Sequence, residues 1–318
     1  TGARNTALGA AALGDNTTAS DNTAVGAQAL RLNTTGHSNT SVGASALDAN
    51  TTGNGGTAVG YGALSATTTS NGNTAVGRLA STNTTGGLNT SLGDQALTTN
   101  TSGSNNVAVG AGSLDSNTTG GYNNAVGQNS LGANTTGNYN VAMGQDALAN
   151  NTTADNNVAI GRAAMVANTE GFENTAVGAY ALDANTTGDY HVAIGRGALT
   201  ANTTADRNTA LGVNALGANT TASYGVAVGQ AALGANTTGG QNTAVGTFAL
   251  LTNTTGGGNV AVGYETLNEN TTGQHLVAVG RQAAKKNTTG NYNVAIGQAA
   301  GRDTTTGSNN TAVGTDSL

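Results

Sequence analysis

The feature that most constrains the fold is a short repeat that runs through the whole chain. Each unit carries a glycine directly after an apolar residue, and we call it the anchor glycine. Seventeen of the eighteen intervals between successive anchors measure 17 residues. A fixed short period of this kind indicates a solenoid, in which each repeat stacks on its neighbours. The nineteen anchors are Gly9, Gly26, Gly43, Gly60, Gly77, Gly93, Gly110, Gly127, Gly144, Gly161, Gly178, Gly195, Gly212, Gly229, Gly246, Gly263, Gly280, Gly297 and Gly314.

The unit reads N-[T/V]-A-[V/I/L]-G-x-x-A-L-x-x-N-T-T-G-x-x, and most positions keep their residue type throughout. Leucine follows the anchor by four residues in 15 of the 19 units. The one short interval runs from Gly77 to Gly93 and measures 16 residues. We expect the missing residue to lie between Gly77 and Asn83.

The pattern favours strands over helices. Glycine in every unit weakens a helix, and the apolar residues do not recur with a helical period. Alternation in Val158, Ala159 and Ile160 fits a strand, and a second short strand fits around the Ala-Leu pair. Asparagine, threonine and glycine suit the corners. The sequence therefore predicts an all-β fold: a parallel β-solenoid, or β-roll, of about nineteen 17-residue coils with two short strands each, forming a single array over residues 1–318.

Stacked coils place equivalent residues in columns along the solenoid. We expect Val158, Ile160 and their counterparts, with the leucines, to form the core. The alanine between them then points away from that core. Because only small side chains allow close approach, we expect the alanine column to pack against another chain or layer. The asparagine that opens each unit, such as Asn22 or Asn39, is expected to form an amide ladder at a corner.

Composition excludes several classes of partner. The chain has no cysteine and no proline, 8% charged residues and a net charge of -6. No basic stripe is present, which argues against nucleic acid binding. No apolar run approaches 18 residues, so we expect no membrane span.

Catalytic and metal-binding patterns are missing as well. The histidines His37, His191 and His275 stand in variable turn positions, and the aspartates are scattered. No phosphate-binding loop follows any strand, and no Ser-His-Asp set can be assembled. We therefore predict that the protein is not an enzyme and holds no cofactor or metal.

The N-T-T triplets match the acceptor pattern for N-linked glycans. They also suit corners, and we favour that interpretation. The exposed tyrosines are expected to cover neighbouring coils, with contact to carbohydrate or a receptor as the alternative. The candidate acceptors are Asn16, Asn33, Asn50, Asn117, Asn134 and Asn185.

The string N-V-A-I-G at Asn157–Gly161 and Asn293–Gly297 resembles the head repeats of trimeric autotransporter adhesins, the YadA-like head, and repeats of phage tail fibres. The resemblance implies a left-handed parallel β-roll with three chains side by side. It also implies that Val158 and Ile160 face the core of the roll. The unit here is longer than the family's, because the N-T-T-G corner is extra.

These features predict a structural and adhesive extracellular fibre segment, an adhesin head or a tail-fibre shaft. We expect a homotrimer or filament at a cell surface or on a virion, contacting a host surface, matrix or carbohydrate. Both ends of the chain fall inside a unit, which suggests a segment of a longer fibre.

Two alternatives remain open: a self-assembling extracellular filament subunit and an ice-binding β-solenoid. Against ice binding, the paired threonines of N-T-T are adjacent and point opposite ways in an extended stretch. The strand threonine also alternates with valine between units, which suggests a half-buried slot.

Overall fold

A computed structural model describes residues 2–318, which form a parallel β-solenoid of three-residue strands. No helix occurs among these residues, and so none that could cross a membrane. The chain divides into two compact units, the first ending at Asn157 and the second covering Val158–Leu318. The strands of the first unit are β1 (Thr6–Leu8), β2 (Thr23–Val25), β3 (Thr40–Val42), β4 (Thr57–Val59), β5 (Thr74–Val76), β6 (Thr90–Leu92), β7 (Val107–Val109), β8 (Asn124–Val126) and β9 (Val141–Met143). The strands of the second unit are β10 (Val158–Ile160), β11 (Thr175–Val177), β12 (Val192–Ile194), β13 (Thr209–Leu211), β14 (Val226–Val228), β15 (Thr243–Val245), β16 (Val260–Val262), β17 (Val277–Val279), β18 (Val294–Ile296) and β19 (Thr311–Val313).

Within each unit, every strand pairs in parallel with the strand of the next coil. The register joins equivalent residues, so Ala125 pairs with Ala142 and Ala176 pairs with Ala193. Even across the short interval, Ala75 pairs with Ser91 and the register is kept. The predicted columns are therefore confirmed within each unit.

The two faces of each strand are the reverse of what the sequence suggested. The middle alanine, such as Ala125 or Ala159, is completely buried. Its neighbours turn outward: Ile160 is 37% exposed, and Val158 is partly exposed. The prediction that Val158 and Ile160 form the core while the alanine column faces another chain is therefore wrong.

The small cross-section of a 17-residue coil explains this reversal. In one buried cluster, Leu30 and Leu47 pack with alanines that include Ala24, Ala29 and Ala58. In most coils two asparagine side chains are also buried in the interior, as shown below. A methyl group fits opposite the leucine, whereas valine or isoleucine in the same place would overfill the coil.

The Ala-Leu segment is a pair of turns, so the second predicted strand is also wrong. Gln28 has a φ of 59° and Leu30 a φ of 51°, which is left-handed backbone and incompatible with a strand. The segment still bonds to both neighbouring coils. The Gln28 N–H donates to the carbonyl of Ala10 at 2.8 Å, and the Leu30 N–H donates to Ala46 at 2.9 Å.

The short interval loses its residue later than predicted. Ser81 takes the leucine position, since its N–H donates to Ala96 just as the Leu64 N–H donates to Ala80. Thr84 then takes the position of the asparagine in N-T-T, with its hydroxyl oxygen buried and unpaired. The missing residue therefore lies between Thr84 and Gly86, and not before Asn83. The corner can shorten because it carries no core side chain between those two residues.

Candidate functional site: the strand face and the asparagine corners

The outward side of the strands forms a surface that we call the strand face. It consists of the first and third residues of each three-residue strand. The first position is mostly threonine or valine, and the third is valine, isoleucine, leucine or methionine. Neither column contains a charged residue. Many of the third-position side chains are substantially exposed, including Val42 at 37% and Leu211 at 43%.

The asparagine that begins each N-T-T triplet is a core residue, and we call it the corner asparagine. Asn117 and Asn134 are completely buried. The Asn134 Nδ2 donates to Asn117 Oδ1 at 2.8 Å and to the Gly137 carbonyl at 3.0 Å. The next corner asparagine, Asn151, donates to Asn134 Oδ1 at 3.0 Å. Corner asparagines of successive coils thus form ladders of side-chain amides inside the solenoid, and in the first unit the ladder is interrupted where Thr67 and Thr84 take the asparagine's position.

The six candidate glycan acceptors all belong to this column. Asn33, Asn50, Asn117, Asn134 and Asn185 are buried, and Asn16 is partly buried. The amide nitrogen of each donates to a backbone carbonyl three residues later in its own coil, at 2.8–3.2 Å. In the folded chain these nitrogens are therefore occupied as structural donors.

The first threonine of the triplet completes the corner. The N–H and the hydroxyl of Thr118 both donate to the carbonyl of Thr135, each at 2.9 Å. The same double contact joins Thr135 to Thr152. The second threonine, Thr119 or Thr136, is exposed. Hydrogen bonds between coils thus explain the asparagine and the first threonine of the triplet.

The asparagine that precedes each strand forms a second ladder, and we call it the strand asparagine. The Asn123 N–H donates to Asn106 Oδ1 at 2.9 Å, and the Asn106 Nδ2 donates to the Gly120 carbonyl at 2.9 Å. The same carbonyl accepts from the corner asparagine Asn117 at 2.9 Å. The predicted ladder exists, but its links run from side chain to backbone.

His191 replaces a strand asparagine and reproduces its hydrogen bonds. Its Nδ1 accepts from the Asn208 N–H at 3.2 Å, and its Nε2 donates to the Ala205 carbonyl at 2.6 Å. The ring is 1% exposed, and this burial lowers the pKa of His191 below its ordinary value. The neutral ring with its proton on Nε2 therefore fits this position.

We expect the second unit to lose stability in mild acid because of His191. Unfolding releases the ring to water, where its pKa is about 6.5, so the unfolded chain binds a proton that the folded chain does not. The free energy of unfolding therefore keeps its full value above that pH and falls as the pH drops below it. Unfolding temperatures measured between pH 7.5 and 5 should show this fall in the wild type and a weaker fall in His191→Asn. His37→Asn, at an exposed position, is the control and should behave like the wild type. An identical pH profile for His191→Asn would contradict the assignment.

Aromatic and planar side chains recur just before the strand asparagine. The Tyr122 and Tyr139 rings stack with centroids 5.1 Å apart, and Phe172 meets Tyr190 edge to face at 5.3 Å. The Arg207 guanidinium lies 5.1 Å from the centre of the Tyr190 ring. Tyr122 and Tyr139 are more than half exposed. The tyrosines thus cover neighbouring coils, as predicted, while offering part of their surface to solvent.

Charged residues form pairs between neighbouring coils. Lys285 Nζ lies 2.7 Å from Glu265 Oε2, and this contact, helped by Gln282, lowers the pKa of Glu265 to about 2. Arg31 and Asp48 form a similar pair at 2.8 Å. Among residues 2–318, no three or more histidine, aspartate or glutamate side chains come together in a way that could hold a metal ion. These charged residues therefore form ion pairs between successive coils.

Comparison with protein-family models finds none that matches this chain, and comparison with curated proteins finds no match either.

Proposed function

We propose that the chain is a structural, non-enzymatic segment of an extracellular fibre that associates with copies of itself through the strand face. The observation that supports this is the chemistry of that face. Parallel sheets are almost always covered on both sides, and here one side is covered by the core of the coil. The other side presents two uncharged columns rich in β-branched side chains. A contiguous exposed apolar surface of this kind is typical of a protein interface.

The resemblance to adhesin heads and tail fibres favours a trimer with a left-handed roll. Three chains around one axis would bring three strand faces together, so that each face is covered by the faces of the other two chains. A filament subunit, built by further association of the same chains, is the alternative assembly. In either case we assign the fibre to a cell surface or virion, in contact with a host surface, matrix or carbohydrate.

Mass in solution tests the assembly. We expect a mass near three times 30.7 kDa for the wild type in light scattering coupled to gel filtration. The double variant Val109→Lys/Val126→Lys places two charges on the strand face and should shift the mass towards one chain. The control Thr119→Lys/Thr136→Lys places the same charges on the exposed corner and should keep the wild-type mass. A wild-type protein with the mass of one chain at micromolar concentration would contradict the proposal.

Ice binding gains support from one observation. The strand threonines point outward, and six consecutive coils of the first unit carry them: Thr6, Thr23, Thr40, Thr57, Thr74 and Thr90. The expected half-buried slot is found at Thr23, Thr40, Thr57 and Thr74, whereas Thr6 and Thr90 are exposed. The column beside them is apolar, however, which favours the interface. Thermal hysteresis at micromolar protein would support ice binding, and its absence would reject it.

A further inference from the structure

A trough crosses four coils of the second unit at the corner before the strand asparagines. Its volume is about 470 Å³, within the range of small-molecule sites. The rings of Tyr224 and His275 stand at its two ends, and Gly240, Gly257 and Gly258 line its floor. The trough arises because glycine interrupts a column that holds larger side chains elsewhere.

Gly240 and Gly257 on the floor belong to a column with a regular hydrogen-bonding role, which we call the cap column. It consists of the residues two positions before the strand asparagine. In many coils the N–H of the cap residue donates to the side chain of the next cap residue. Asn138 donates in this way to Asp155 Oδ1 at 2.6 Å, and Asp206 donates to Ser223 Oγ at 3.0 Å. The acceptor can therefore be a carboxylate or a hydroxyl oxygen.

Three consecutive cap residues in the trough lack this acceptor. Gly240 and Gly257 have no side chain, so the N–H groups of Ser223 and Gly240 find no side-chain acceptor on the next coil. Gln274 does not accept from the Gly257 N–H. Among residues 2–318, no hydrogen bond uses the N–H of Ser223, Gly240 or Gly257. The floor thus presents a row of three backbone donors at the spacing of the coils, about 4.8 Å.

The two ends of the trough are aromatic. Tyr224 is 54% exposed and is supported on the preceding coil by Arg207, whose guanidinium lies 5.8 Å from the ring centre. His275 stacks on Tyr292 at 5.2 Å and 13°. A Cβ placed on Gly258 would lie 2.9 Å from His275 Nδ1, so the histidine ring overhangs the floor.

We propose that this trough binds a saccharide along the coil axis. Its hydroxyl oxygens accept from the N–H groups of Ser223, Gly240 and Gly257, in the place where a serine hydroxyl serves on another coil. The C–H faces of its rings lie against Tyr224 and His275. Gln241 and Gln274 also line the trough and add uncharged amide groups. No lysine or arginine lines it, so a phosphate or a single-stranded nucleic acid would find no positive charge.

This inference deepens the proposed adhesive role and rests on its carbohydrate contact, but it is independent of assembly. The test uses the complete chain on an array of neutral gluco-, galacto- and manno-oligosaccharides and of oligosaccharides that contain uronic acids. The best probe is then titrated by calorimetry. We expect binding that changes little with salt and that weakens about tenfold in Tyr224→Ala.

The decisive variant is Gly240→Asn/Gly257→Asn. Asparagine is the residue that other coils use in the cap column, as at Asn54 and Asn138. It would fill the trough and cap the N–H groups of Ser223 and Gly240, so binding should be lost while the unfolding temperature does not fall.

Gly121→Asn makes one such change in the cap column of the first unit, away from the trough, and should keep full binding. Binding to none of the saccharides, or binding that survives Gly240→Asn/Gly257→Asn, would overturn the proposal. So would preferential binding of a single-stranded oligonucleotide or of inorganic phosphate. None of these results depends on the mass in solution, so failure of this site and failure of the fibre assembly are separately visible.

Discussion

Replacing Gly127 by alanine is expected to destabilise the first unit by more than about 4 kcal/mol. The anchor glycine has a φ of +137°, a conformation that is essentially restricted to glycine. An added Cβ would also lie 2.5 Å from the carbonyl oxygen of Gly144, the anchor of the next coil. That contact is with backbone, so relief requires the coils to separate. Circular dichroism during chemical unfolding measures the loss.

Two controls separate the clash from the backbone strain. Gly314→Ala has a similar φ of +121°, but its Cβ would meet nothing within 4 Å, so it should cost clearly less. Gly112→Ala has a φ of +63° and free space, and other coils hold Gln28 or Ala163 in that position. We expect its effect to be within about 1 kcal/mol. Equal losses in Gly127→Ala and Gly314→Ala would contradict close stacking of the anchors.

The second large effect is expected for Asn134→Asp, a change of one atom inside the corner ladder. The aspartate loses the donor that serves Asn117 Oδ1 and the Gly137 carbonyl, and it turns an acceptor towards both of those oxygens. The site is completely buried. We expect a loss on the order of 3–5 kcal/mol at pH 7, the range for an uncompensated buried charge. Chemical unfolding at pH 7 measures it.

The pH dependence of this variant has a definite sign. Burial raises the pKa of the new carboxyl group above its value in the unfolded chain, so the folded state binds the extra proton. The loss of unfolding free energy relative to the wild type should be smallest below about pH 4 and should grow as the pH rises. Asn54→Asp is the control, because Asn54 Oδ1 only accepts from the His37 N–H, and Asp155 fills the same role elsewhere. A variant Asn134→Asp as stable as Asn54→Asp at pH 7 would argue against the buried ladder.

The period of the sequence was sufficient to predict the coil and its parallel stacking. A constant spacing of 17 residues with one glycine in a fixed place admits few other arrangements. The columns followed directly, and so did the ladder of strand asparagines such as Asn106 and Asn123. Even the short interval could be found, although its position within the coil required the hydrogen bonds of Ser81 and Thr84.

Strand alternation did not reveal which face lies inside. Val158 and Ile160 are more apolar than Ala159, so hydrophobicity alone placed them in the core. The deciding quantity is the space inside the coil, which Leu30 and its counterparts nearly fill. The left-handed backbone at Gln28 and Leu30 was equally hidden, because neither residue type signals a positive φ.

The structural role of the corner asparagines could have been predicted from the sequence, although the match of the triplet to the glycan acceptor pattern drew attention away from it. At Asn168, the third residue of the triplet is Glu170, so the glycan pattern is broken while the asparagine is kept. A column that keeps asparagine without the acceptor pattern indicates a structural role. The trough could not be found in this way. It depends on which backbone N–H groups lack an acceptor, and glycine at two successive cap positions acquires that meaning only in the folded stack.

Disulfide trapping tests the 17-residue coil most directly, since the chain has no cysteine of its own. Asn129 and Asp146 occupy equivalent positions on adjacent coils, with Asn129 Nδ2 2.9 Å from Asp146 Oδ1. Adjacent parallel strands lie about 4.8 Å apart, within the Cα separation that a disulfide spans. Gln95 and Asn129 lie two coils apart, roughly 9.6 Å, which is too far. We predict that mild oxidation closes the disulfide in Asn129→Cys/Asp146→Cys and leaves Gln95→Cys/Asn129→Cys reduced. Closure of both pairs at similar rates, or of the second pair alone, would contradict the stacked solenoid.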